Sequence, residues 1–340
     1  MTNLLEPWVL LRLVAGLVAA LFFTRGAITA SRVLRHFDVA KATEGQLALE
    51  KQLELSASFV RVATVVQIAS LALTVLAADR LSHGIRGAMC AYGVFAANDA
   101  GFPALFVTIG VAVVAGILAQ LYAFDARVRG MDMVRPLAIA TLAFAPLALA
   151  DLAMTARFLT KLDLSVVASC CSVNLDAAAA GNGGYATGPR TLATVLAPIA
   201  VGLSIAVALL ASRRPTAPRV VAAGALALVA LPIALAASVL EVAPHAFEVP
   251  QHVCPFCLLK ADVLGIGYPL FGAIFLAVVW GAGAAAAALL ARGPASRAAF
   301  GPFATRLLVR EAVAWGIALA LGLAPIVRYA IVAGGASLFR

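Results

Sequence analysis

The sequence predicts an all-α, polytopic integral membrane protein with about eight transmembrane helices, and three observations predict it. Only 12% of the 340 residues are charged, about half the share of a soluble domain, while mean hydropathy is +1.02. The apolar residues form eight runs of roughly twenty, the length that a hydrocarbon core of about 30 Å requires of a helix. These runs are rich in Ala, Leu and Val with interspersed Gly, which lets helices approach closely in lipid; a membrane barrel would show short alternating segments instead.

The eight spans are expected near residues 8–24, 58–78, 102–124, 136–156, 191–211, 220–240, 263–290 and 312–332. Met1 to Pro7 contains Glu6 and no basic residue, and no small-residue cleavage site follows, so the first span is expected to be retained. Orientation follows from Lys and Arg, which accumulate in short cytoplasmic loops. The loops after spans one, three, five and seven hold sixteen of the 25 basic residues, among them Arg25, Arg32, Arg127, Arg129, Arg213, Arg214, Arg292 and Arg306. Both termini and all five cysteines are then expected on the outer face, which in a bacterial inner membrane is periplasmic and permits disulfides. The net charge of +9 is accounted for by inward basic residues beside anionic lipid and calls for no nucleic-acid partner.

Between the spans, two segments stand out. The inner loop 31–55 sets Leu47, Leu49, Leu53 and Leu55 among Glu44, Glu50, Lys51 and Glu54, which reads either as an amphipathic helix at the headgroups or as a solvated extension of span two. The outer segment 161–190 carries Cys170-Cys171 and then Gly181-Asn182-Gly183-Gly184, a linker composition. It separates a first four-helix half, 1–160, from a second, 191–340. The halves have the pattern of a 4+4 parallel internal repeat. One outer loop reads Cys90, Tyr92, Gly93, Asp99, Gly101, Phe102-Pro103; its counterpart reads Cys254, Phe256, Cys257, Asp262, Gly267, Tyr268-Pro269. Coincidence among common helix-start residues is the alternative.

The chemistry is concentrated in the sulfur residues. All five cysteines fall in three segments between spans: Met89-Cys90, Cys170-Cys171 and His252-Val253-Cys254-Pro255-Phe256-Cys257. A Cys-x-x-Cys pair at the start of span seven would meet exposed amides and a positive dipole end, which favour a thiolate at Cys254. Adjacent Cys170 and Cys171 close a disulfide only through a strained ring, so they suit a two-thiolate grip on a soft cation or pairing with other cysteines. Met89 and His252 are soft-metal ligands beside Cys90 and Cys254; His83 and His245 are weaker candidates, more naturally headgroup contacts. Asp151, Arg12 and Arg328 lie within spans, where charge is costly, and either arginine could neutralise Asp151.

Around Cys254-Pro255-Phe256-Cys257 the chain resembles vitamin K epoxide reductases and the bacterial disulfide-forming membrane oxidases, and the tetrapeptide itself is similar to the glutaredoxin active-site motif. The resemblance implies a thiol-disulfide oxidoreductase in which Cys254 and Cys257 face a bound quinone and Cys170 with Cys171 shuttle electrons to a thioredoxin-like partner. The residues themselves equally fit a site for a soft metal, Cu(I) foremost, held by Cys90, Met89, Cys170, Cys171, His252, Cys254 and Cys257 and exchanged with a periplasmic metallochaperone. The spans hold no ladder of cysteine or methionine below this entrance, so binding or handover is favoured over transmembrane passage. A structural subunit of a membrane complex is the third reading. No phosphate-binding Gly-rich loop, Ser/His/Asp set or paired carboxylates support an NTPase or a hydrolase.

Overall fold

The computed structural model describes residues 5–38, 43–165 and 188–339. Among them every regular element is helical: α1 (Pro7–His36), α2 (Glu44–Ser82), α3 (Ala91–Ala96), α4 (Gly101–Asp125), α5 (Val134–Thr160), α6 (Gly188–Arg213), α7 (Ala217–Ala237), α8 (Ala243–Phe247), α9 (Gly267–Leu290) and α10 (Pro294–Val332). Eight of these, with α7 continuing through α8 as one, are long and apolar enough to cross a membrane. Each contains or overlaps one of the eight apolar runs.

Two of the helices far outrun their runs. Both α2 and α10 have 39 residues, about 58 Å at 1.5 Å per residue, roughly twice a hydrocarbon core. The added length of α2 is the segment expected either as an amphipathic helix or as an extension of span two, and it continues that span as one helix. Thr43 caps it by accepting a hydrogen bond from the Gln46 amide at 3.3 Å. The extension is not a free amphipathic helix: Leu49 and Leu53 pack with Leu34 against Val33, Phe37, Val134 and Ala138, which leaves only Leu47 and Leu55 largely exposed.

The chain divides into two compact units, one drawn from Met1–Gly84, Val94–Val166 and Ala286–Phe303, the other from Ile85–Gly93, Val167–Ala285 and Ala304–Arg340. The division therefore differs from a cut at the 161–190 linker. Ile85–Gly93, which carries Cys90, belongs with the second unit because its cysteine packs there.

In the first unit α1 and α4 each pack against both α2 and α5, closing a four-helix bundle. The inward face of α1 carries Val9, Arg12, Gly16, Ala19, Ala20 and Phe23, while Leu10, Leu11, Val14, Leu17 and Leu21 point outward and are 43–59% exposed. Small residues inside and leucines outside are what lipid favours, since an outward leucine loses nothing in hydrocarbon and small residues let backbones meet. Arg12 lies in the bundle core. Its Nη2 donates to Asp151 Oδ2 at 2.7 Å and to Thr155 Oγ1 at 2.9 Å, and its Nε donates to Thr74 Oγ1 at 2.6 Å. Asp151 also accepts from Gln67 Nε2 at 2.8 Å and from Thr108 Oγ1 at 2.5 Å. One charge pair thus ties all four helices. Gly16 makes room for it, because a Cβ there would stand 2.7 Å from Arg12 Nη1. Arg328, the other expected partner, lies instead in an exposed pair with Glu248 at 2.8 Å.

In the second unit α6 packs on α7, and α7 meets α9 almost backbone to backbone: a Cβ on Gly224 would lie 2.6 Å from the Gly281 carbonyl oxygen. Beyond Ala237, α7 loosens into one π turn, Ser238–Val242, before α8. Glu248, in the left-handed region at φ 58°, ends α8, and a stretch with two short 3-10 turns then leads to α9. That stretch holds the sulfur site.

Candidate metal centre

Residues 248–266 run through successive turns. The His252 amide donates to the Val249 carbonyl at 3.0 Å, Lys260 to Cys257 at 3.0 Å, and Gly265 to Lys260 at 3.0 Å, with Leu264 and Gly265 both at positive φ. Leu258, fully buried, anchors the stretch at the start of α9, where a Cβ on Gly267 would come within 3.0 Å of it. The Cys-x-x-Cys pair therefore does not open a membrane helix. Cys257 begins a 3-10 turn, Cys257–Leu259, and α9 starts only at Gly267, so Cys254 does not lie in the first turn of that helix.

Folding these turns back brings Cys254 and Cys257 onto Cys90. The three Sγ atoms lie within 4.8 Å of one another, with Cys90 and Cys254 at 3.3 Å. All three are buried, none is in a disulfide, and Tyr92, Phe247 and Phe256 pack around them. Of the three, Cys90 is the thiol whose ionisation the cluster favours. Hydrogen bonds from Cys254, then from Cys257, outweigh burial, and with the amides of Tyr92 and Gly93 they pull its pKa from 9.0 to about 3.

The sign of this shift has a direct consequence. A thiol depressed from 9.0 to about 3 is ionised throughout the neutral range. The reactivity of Cys90 toward a small thiol reagent in the metal-free protein should stay flat between about pH 5 and pH 8, where an ordinary cysteine gains roughly tenfold per pH unit. Peptide mapping of alkylation rates measures this; a tenfold-per-unit rise at Cys90 would exclude the thiolate.

His252 stands beside the triad. Its ring stacks on Phe247 with centroids 3.9 Å apart, and its Nε2 is buried with no hydrogen-bond partner among the described residues. Burial lowers its pKa against the opposing pull of the Cys90 thiolate, so the ring is neutral at pH 7 and keeps a lone pair. Met89 points away: its side chain is 74% exposed, while that of Cys90 beside it is buried. Cys170 and Cys171 lie outside the described residues. His83 bonds the Arg80 carbonyl, and His245 is held between Tyr329 and Phe339 with its Nδ1 on the Glu241 carbonyl, so both are engaged elsewhere.

Two buried acids escape a reading of the sequence. Glu241 accepts from Thr194 Oγ1 at 2.5 Å and pairs with Arg190 at 2.8 Å, and Glu311 packs against Gly281 on α9. Each sits at the border of an apolar run, Glu311 directly after Arg310, and so reads as a loop charge.

Three buried sulfurs at this spacing can hold a metal ion. Metal–thiolate bonds of about 2.3 Å in a trigonal plane set sulfurs about 4 Å apart, between the shortest separation here and the 4.8 Å limit. Comparison with protein-family models, with curated proteins and with solved structures finds no match.

Proposed function

We propose that this is a membrane protein that binds Cu(I) at its outward loops and hands it to a periplasmic partner. The observation that carries the reading is the enclosed triad of Cys90, Cys254 and Cys257. Among the described residues the cluster holds three thiols and no carboxylate, and Cu(I) accepts such soft donors at low coordination number, whereas Zn(II) calls for a fourth ligand. His252, with an Nε2 unpartnered among the described residues, is a candidate for that ligand. Tyr92, Phe247 and Phe256 pack against the sulfurs and limit the access of water and oxidant.

A second reading is favoured by the 3.3 Å approach of Cys90 and Cys254. Thiolate attack needs sulfurs in contact, and three sulfurs in one pocket can exchange disulfide partners, as in a thiol-disulfide oxidoreductase that passes electrons to a quinone or a thioredoxin-like protein.

Metal titration of the reduced protein separates the two. Cu(I) is expected to bind one per chain and to protect all three thiols from alkylation, with Zn(II) at least about tenfold weaker because no fourth ligand lies within the triad. Protein that takes up no Cu(I), yet forms a Cys90–Cys254 or Cys254–Cys257 disulfide with mild oxidant, would replace this reading by the oxidoreductase.

A further inference from the structure

A cavity of about 180 Å³ opens between α6, α7, α9 and α10 in the second unit. On α10 its wall runs from Trp315 to Ile326, about 16 Å at 1.5 Å per residue, roughly half of a 30 Å hydrocarbon core. Most of the wall is alanine, leucine, isoleucine and valine. Polar side chains gather at one end, where Thr194, Ser238 and Glu241 face it and the π turn sets Glu241 into the wall. Single π turns recur at functional sites because they re-aim one side chain without breaking the helix.

At the other end stands Trp315. It is fully buried, it forms part of the wall, and its Nε1–H has no hydrogen-bond partner among the described residues. Buried indoles ordinarily find an acceptor, and in a water-free interior an unused donor is costly. Glu311, one turn earlier on α10, does not serve: its carboxylate is turned against Gly281 and is not part of the wall. Leu323 and Thr194 are exposed on the outside of the unit yet line the cavity, so it is open to the surrounding lipid side.

We infer that this cavity is a binding site for an uncharged lipophilic molecule that carries an oxygen acceptor, taken from the bilayer and held by the Trp315 N–H. Its apolar body fills the alanine- and leucine-lined slot, and its oxygen accepts from Trp315. A charged ligand is disfavoured, because among the described residues the wall's one charged side chain is Glu241, already paired with Arg190. The inference stands apart from the metal reading, since no cysteine lines the cavity.

The probes are 2-decanone and n-decane, alike in length and differing in one carbonyl. Delipidated full-length protein is titrated with each, and retention is read by native mass spectrometry. Saturable binding of 2-decanone about fivefold or more tighter than decane is expected, the effect of one net hydrogen bond. Trp315→Phe keeps an aromatic wall, smaller by the pyrrole ring, and removes the donor, so it should bring 2-decanone to the level of decane. Gly322→Leu, on the wall where a Cβ meets only Val242 at 3.7 Å, should abolish both at an unaltered melting temperature. Cys254→Ser should change neither, so failure at the metal centre and failure here are read apart. Equal retention of both probes by the natural protein, retention that survives Gly322→Leu, or a carbonyl preference that survives Trp315→Phe would each overturn the assignment.

Discussion

Cys254→Ser is expected to weaken Cu(I) binding by at least about 100-fold, more than the loss of a supporting residue costs, because it deletes one of three ligands. Two roles coincide at this position. Cys254 supplies a sulfur to the ion, and it is also the leading hydrogen-bond donor to Cys90, a role a serine hydroxyl can keep, so the loss expected from Cys254→Ser is that of the sulfur ligand. Competition against a Cu(I) chelator at fixed pH gives the ratio. His252→Ala, by contrast, should cost less than about tenfold, since its ring lies on Phe247 outside the three-sulfur set. Equal affinity of Cys254→Ser and the natural protein would remove the triad as the binding site. Under the oxidoreductase reading a different signature follows: Cys257→Ser accumulates a mixed disulfide at Cys254, and Cys254→Ser accumulates none.

Asp151→Ala should destabilise the first unit by about 3–5 kcal/mol, the cost of leaving a buried charge without its partner. Arg12 is wholly enclosed, and its remaining hydrogen bonds, to Thr74 and Thr155, go to neutral hydroxyls that do not balance its charge. Thr108 and Gln67 lose their acceptor in the same substitution. The pair Arg12→Leu with Asp151→Leu should recover most of that loss, because two apolar side chains carry no desolvation cost. Thermal unfolding in detergent compares the three proteins. An Asp151→Ala protein that melts with the natural one would show that the ion pair contributes nothing to stability and that its charges are kept for another purpose.

The helices were legible because lipid imposes a coarse rule. A segment must be about twenty apolar residues long to satisfy its backbone inside hydrocarbon, and that requirement is local, so eight runs yield eight helices. The partnership of Arg12 and Asp151 was half legible. Cost alone demands a partner for each, yet only packing chose between Arg12 and Arg328. Glu241 and Glu311 were hidden by the same rule, since an acid at the edge of an apolar run looks solvated until a neighbouring helix covers it.

For the sulfur site, sequence alone determined the ingredients: five cysteines confined to the segments between spans, a Cys-x-x-Cys pair, and a histidine two residues before it. It could not determine the assembly. Cys90 and Cys254 are 164 residues apart, and their 3.3 Å contact depends on turns at Glu248 and Leu264 in the left-handed region and on Leu258 seated at the start of α9. Cys254 is not at the first turn of α9 as expected, and the ionisation of the cluster is favoured by thiol donors that tertiary folding brings to Cys90. Ligand identity is written in residue types, which are local; coordination geometry and ionisation depend on distances between remote segments, which only the packed chain fixes.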